Sequence, residues 1–214
     1  MFLTKKLGML FLCIGLAAGF CSCKSEIKIT AKKDSCAINY KTVLGAALWD
    51  TVSALSGGGE VLFDTAQFEE VFAESNLEKV RAVSETKDSL DLSAELSKDK
   101  SDFINLSEML EISQNGNSMV LTFSEKNLSA LYENMPQVMQ SYIDMFMAPS
   151  FTGEKMTDEE YLELVSSVYG DVVSEEIKKS VVNFTLVNGR GKSSSYSVRL
   201  LEIINLKKEL VFKN

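Results

Sequence analysis

Apolar and polar residues alternate with a period of two over several separate stretches of the chain. Ile27 and Ile29 alternate with Lys28 and Thr30, and Cys36, Ile38 and Tyr40 alternate with Ala37 and Asn39. The cleanest stretch sets Leu90, Leu92, Ala94 and Leu96 against Ser89, Asp91, Ser93 and Glu95. The same pattern groups Met119, Leu121 and Phe123, then Val182, Phe184 and Leu186, then Tyr196, Val198 and Leu200. Successive strand side chains point to opposite faces, so each stretch predicts a strand with one apolar and one wet face, a habit of antiparallel sheets.

Turn residues join these strands. Asn115-Gly116 and Asn188-Gly189 tolerate the positive φ of tight hairpin turns, and the second links 182–187 to 194–201. A further hairpin is expected between 79–84 and 89–96. Helical spacing fills the gaps. Residues 42–55 place Leu44, Leu48 and Leu55 on one side, and 64–75 open on Asp64 and Gln67 at capping-box spacing. Ser124 heads a helix to about Asn134, Pro136 starts another that ends before Pro149, and Thr157 with Glu160 forms a second capping box. Tyr161, Leu164, Val165 and Val168 follow it; Gly170 stops that helix, and a short one is expected over 172–179. Segregated runs of strands and helices predict an α+β fold. Its expected form is a mostly antiparallel, one-faced sheet of about six to eight strands, with about four to five helices on its apolar face.

The first residues break this pattern. Lys5 and Lys6 precede an uncharged run, Leu7 to Phe20, and that run ends at Cys21-Ser22-Cys23. It is shorter than the roughly 20 apolar residues of a spanning helix, has a basic start and ends in small residues, as a secretory leader does. The end resembles the lipobox of bacterial lipoprotein signal peptides, in which a cysteine becomes the lipid-bearing first residue. A small residue normally precedes that cysteine, so Ser22 favours Cys23 over Cys21, which follows Phe20; Cys21 is kept as the alternative. The expected organisation is a signal peptide over 1–22, a lipidated tether over 23–26 and a single α+β domain over 27–214.

Composition then narrows the chemistry. The formal charge is −8, and loss of Lys5 and Lys6 with the leader takes it to −10, a poor balance for nucleic acid, whose binding needs cations on phosphates. An acidic body is also repelled by anionic headgroups, so membrane attachment is expected to come from the covalent lipid. The chain has no histidine, which removes Ser-His-Asp and Cys-His nucleophiles and histidine metal sites. Cys21-x-Cys23 lacks the further ligands of a zinc site, and Cys36, the one thiol left in a mature chain, reads as core. No metal, cofactor or catalytic residue is expected. A carboxylate hydrolase would need a convergent pair of acids, and the obvious cluster, Asp158, Glu159, Glu160 and Glu163, suits a helix N-terminus instead.

The most unusual composition is the methionine-rich stretch from Met135 to Met156. At helical spacing Met135, Met139, Ile143 and Phe146 share a face; with Phe151 they form either core or the wall of an apolar groove for an acyl chain or a partner helix. The segments LTFSEKNLSALYENMP and SYIDMFMAPSFTGEKMTDEEYLELVSSVYG, with the closing strands, resemble a group of spirochaete lipoproteins over roughly residues 60 to 205. That resemblance implies an envelope location and no particular activity. A more distant likeness to mycobacterial-type lipoproteins implies lipid binding. The expectation is therefore a non-enzymatic protein, anchored through its N-terminal lipid at the periplasmic or surface face, that binds an apolar ligand such as a lipid or an envelope protein. A scaffolding role without ligand is the alternative.

Overall fold

The computed structural model describes residues 22–32, 35–55, 65–66, 77–97, 109–113, 115–134, 140 and 143–214. Among these the fold is α+β. Strands β1 (Ser22–Ala31), β2 (Ser35–Leu44), β3 (Leu77–Val83), β4 (Ser89–Ser97), β7 (Val181–Val187) and β8 (Ser193–Arg199) form one sheet in the order β3-β4-β2-β1-β7-β8. A second sheet holds β5 (Leu110–Ile112), β6 (Met119–Phe123) and β9 (Leu210–Lys213) in the order β5-β6-β9.

The hairpins follow the sequence. β1 pairs with β2 so that Ile27 meets Tyr40 and Ile29 meets Ile38, all on the buried face, while Lys24, Glu26 and Lys28 face water. β3 with β4, β5 with β6 and β7 with β8 are antiparallel as well. The expectation of a single antiparallel sheet is corrected at two points. β1 and β7 lie parallel, Ile27 beside Phe184 and Ile29 beside Leu186, which makes the large sheet mixed. The two strands are far apart in sequence, so no tight turn forces their direction, and both bury the same apolar face. The remaining strands make a separate small sheet whose third member, β9, has too short an alternation to stand out.

Other boundaries also move. β2 runs on to Leu44, and helix α1 spans Ala46–Leu55, so its expected start at Thr42 is three residues of strand. β8 ends at Arg199, and Leu200 begins the short helix α6 (Leu200–Ile204) where the strand pattern had been extended. Residues 23–26, expected as a tether, are strand residues of β1. Helix α2 (Glu125–Asn134) is headed by reciprocal bonds: Ser124 N–H to Asn127 Oδ1 at 2.7 Å and Asn127 N–H to Ser124 Oγ at 3.3 Å. The expected helix over 64–75 falls largely outside the described residues, as does most of the one from Pro136.

Helices α3 (Pro149–Thr152), α4 (Asp158–Tyr169) and α5 (Asp171–Lys179) complete the chain, and α5 packs on β1, α1 and α6. The Glu176 carboxylate on α5 accepts the Ala47 N–H at 3.2 Å and the Leu48 N–H at 3.0 Å, capping α1 from a distant part of the chain. This satisfies orphan donors that the local sequence, with Gly45 before the helix, leaves without a side-chain partner. Between the two sheets lie Phe123, Phe184 and Phe212, with ring centroids 5.4 Å apart for Phe123–Phe184 and 5.1 Å for the stacked Phe184–Phe212 pair.

Candidate functional site

The surface around Cys23 is set by one irregularity of β1. Ser22 pairs with Leu44 and Lys24 with Val43, so Cys23 is the extra residue of a β-bulge. Beside it a groove of about 410 Å³ is lined by Lys24, Glu26, Lys41, Thr42, Val43 and Leu44. Val43 is 50% exposed, unusual for a valine in an inner strand. The charges at its rim are neutralised in pairs: Lys24 lies 3.4 Å from Glu26, and Lys41 is bonded to Asp91, whose hydrogen bond and charge raise the Lys41 pKa above its ordinary value. Under the rim Ser25 and Thr42 share a buried hydroxyl hydrogen bond of 3.1 Å. What remains is a shallow surface of lysine stems and valine at the end of the sheet that carries the expected anchor. Sequence reasoning missed the end of β2 here, because the expected helix over 42–55 takes in Thr42, Val43 and Leu44. The signal was present, since the period-two alternation continues from Tyr40 through Thr42 to Leu44.

The methionine-rich stretch behaves differently. Ile143 and Phe146 are fully buried and Phe151 is 2% exposed, so these three residues belong to the core and line no open groove. The cover is α4: the Tyr161 hydroxyl donates to the Phe146 carbonyl at 3.0 Å, Tyr169 donates to the Met145 carbonyl, and the Tyr169 ring lies 6.5 Å from that of Phe146. Burial pushes the Tyr169 phenol up from its usual value. Met135 and Met139 lie outside the described residues.

The acidic cluster opens α4 and is used there structurally. Thr157 Oγ1 accepts the Glu160 N–H at 3.1 Å, and the Glu160 carboxylate accepts the Thr157 N–H at 2.6 Å, the reciprocal capping box expected from the sequence. Asp158 accepts from the Asn205 amide at 2.9 Å and lies 3.8 Å from the Lys207 ammonium, while Glu159 and Glu163 are exposed. A polar groove of about 340 Å³ runs past Glu125, Lys155, Thr157, Glu160 and Lys207, but Lys155 is bonded to Glu125 and Lys207 to the Met156 carbonyl. No two of these carboxylates converge in a buried cleft, the arrangement that acid–base hydrolysis requires. Among the described residues no three Cys, Asp or Glu side chains are grouped to hold a metal ion.

No protein-family model, curated protein or solved structure matches the chain. Among the described residues no helix is long and apolar enough to cross a membrane. Cys36 is buried in β2 and is not in a disulfide among the described residues, with its thiol directed at the Ala37 carbonyl.

The capping box gives a pH prediction. The hydrogen bond from the Thr157 backbone, with that of its hydroxyl, holds the Glu160 carboxyl below the ordinary glutamate range. A carboxyl depressed in the folded state contributes stability that is fully present above its unfolded pKa and lost as pH falls through the folded value. Glu160→Gln is therefore expected to flatten the acid limb of a melting-temperature profile and to leave the profile above neutrality nearly level. An unchanged acid limb would show that the box does not form in solution.

Proposed function

We propose that this chain is a lipid-anchored envelope protein without enzymatic activity, held to a membrane through Cys23, with Cys21 as the alternative, and acting by contact with an envelope partner. The observation that carries this reading is the uncharged run from Leu7 to Phe20, followed by Cys21 and then by Ser22 and Cys23, the first two residues of β1. A leader is removable only if its loss spares the fold, and cleavage before Cys23 would cost β1 just its terminal Ser22–Leu44 pair. Because Lys24 to Glu26 are strand residues, the lipid would join the sheet with almost no slack, and the end of the sheet bearing Lys24, Lys41 and Val43 would lie against the bilayer. Paired charges and lysine stems suit such a headgroup zone without adding electrostatic attraction. The likeness to spirochaete lipoproteins points to the same location.

The burial of Ile143, Phe146 and Phe151 favours partner contact over an enclosed apolar ligand, since these residues fill the core. The dispersed acids around α4 count against the carboxylate hydrolase. In cells fed an alkyne-bearing palmitate, the wild-type chain should take up label and fractionate with membranes, and Cys23→Ser should lose both. Retained label in Cys23→Ser, with loss only in Cys21→Ser, would move the anchor two residues back. An unlabelled wild-type chain, or label that persists in both single variants and the double variant, would refute the anchor altogether.

A further inference from the structure

Among the described residues four strands lie at the edges of the two sheets, and they differ in how they are protected. β3 carries a register shift between Glu78 and Arg81, with Lys79 at φ 55° and both Lys79 and Arg81 exposed. β5 has three residues and β9 four. Shortness, bulges and outward charge are the usual devices that stop an edge from pairing with another chain. β8 has none of them over most of its length: seven residues, unbroken register with β7, and Ser193-Ser194-Ser195-Tyr196-Ser197-Val198 uncharged before Arg199.

The ladder shows which main-chain groups face outward. Asn188 N–H donates to the Lys192 carbonyl at one end and Leu200 N–H to the Ser180 carbonyl at the other, both at 2.9 Å. Hydrogen-bonded pairs in an antiparallel ladder recur at every second residue, so Ser194, Tyr196 and Val198 bond to Leu186, Phe184 and Val182. The N–H and C=O groups of Ser193, Ser195, Ser197 and Arg199 therefore point to the free edge, and the side chains of these four residues are exposed. Tyr196 ties this edge down from the inner side, its hydroxyl accepting the Lys213 N–H at 3.1 Å.

We propose that β8 is the contact edge of a two-fold dimer, in which the β8 strands of two copies of this chain pair antiparallel about Tyr196 and continue the large sheet across both. In this register Ser195 of one copy meets Ser197 of the other, and Ser193 meets Arg199. All four outward residues of each copy are used, giving roughly eight interchain hydrogen bonds. No like charges fall opposite each other, which is the self-complementarity that a two-fold contact demands. Serine hydroxyls meet across the wet face as Thr185 and Ser195 already do within one copy, at 3.2 Å. The turn cations Arg190 and Lys192, which form no ion pair among the described residues, are carried toward Glu202 of the other copy, where each Arg199 is already neutralised by its own Glu202 at 2.8 Å.

Proline at an outward position tests this without disturbing the fold, because the N–H it removes is not used within one copy. The full chain in density-matched mild detergent should sediment as a dimer at high micromolar concentration. Ser195→Pro should raise the dimer dissociation constant by about a hundredfold with little change in melting temperature. Ser194→Pro, which removes an N–H bonded to Leu186, should instead destabilise the monomer. Should Ser195→Pro fail to fold, Ser195→Lys with Ser197→Lys places like charges on the edge and must dissociate the dimer. A wild-type chain that stays monomeric overturns the proposal and leaves the edge to a strand of another protein. A dimer that survives both the proline and the lysine variants overturns it as well.

Discussion

Phe184→Ala is expected to lower the unfolding free energy by about 3–5 kcal/mol. Phe184 is fully buried on β7, between Phe123 of one strand in the small sheet and Phe212 of another. Removing the ring deletes transfer free energy and leaves a cavity that cannot collapse, because the strands on either side are fixed by their ladders. β7 also pairs with β1 and β8, so the same residue sits where the N-terminal and C-terminal parts of the large sheet meet. A domain of this size is stable by about 5–15 kcal/mol, so the loss is a large fraction of the total. Urea unfolding should show a lower midpoint with an unchanged slope. A loss under about 1 kcal/mol would mean that the two sheets are not packed on each other through this ring.

The second large effect is expected at Asn188, and here the cause is polar. Its side chain is 5% exposed and makes four bonds: the amide donates to the Asn117 carbonyl at 3.0 Å and Asn214 Oδ1 at 3.1 Å, and Oδ1 accepts the N–H groups of Arg190 and Lys192 at 3.0 and 3.1 Å. The network joins the β7–β8 turn, the β5–β6 turn and the C-terminal residue. It is closed by the two glycines, since Gly189 N–H donates to the Gly116 carbonyl at 2.8 Å. A β-carbon built on Gly189 would stand 3.3 Å from that same oxygen, so a larger residue there would push the two turns a few tenths of an ångström apart. Asn188→Ala should cost about 2–3 kcal/mol, because it strands buried partners as well as losing bonds. Hydrogen exchange at the Arg190 and Lys192 amides should accelerate in that variant by more than its global destabilisation explains. Exchange that tracks global unfolding alone would argue against a local network.

Both effects sit on features that were only half visible in the sequence. The alternation of Val182, Phe184 and Leu186 placed Phe184 on an apolar face, and Asn188-Gly189 marked a turn, as Asn115-Gly116 did. That the two turns dock on each other, and that Phe184 faces a second sheet, are long-range facts that no local pattern encodes. The expected site fared in the same way. Helical spacing groups Ile143 with Phe146, and both are buried, but amphipathicity gives only the direction of burial. Whether a neighbour closes over that face is decided by α4, whose tyrosines bond the Phe146 and Met145 carbonyls.

By itself the sequence determined the period of each element and hence the α+β class, three of its hairpins to within a few residues, the capping box at Thr157 and Glu160, and the absence of any histidine chemistry. These are local properties, fixed by side-chain periodicity and by turn and cap geometry within a few residues. Tertiary structure alone decided the parallel pairing of β1 with β7, the division into two sheets, the trans cap from Glu176 to α1 and the open edge of β8. Each of these joins segments far apart in the chain, where many partners satisfy the same apolar face and only the packing of the whole selects one.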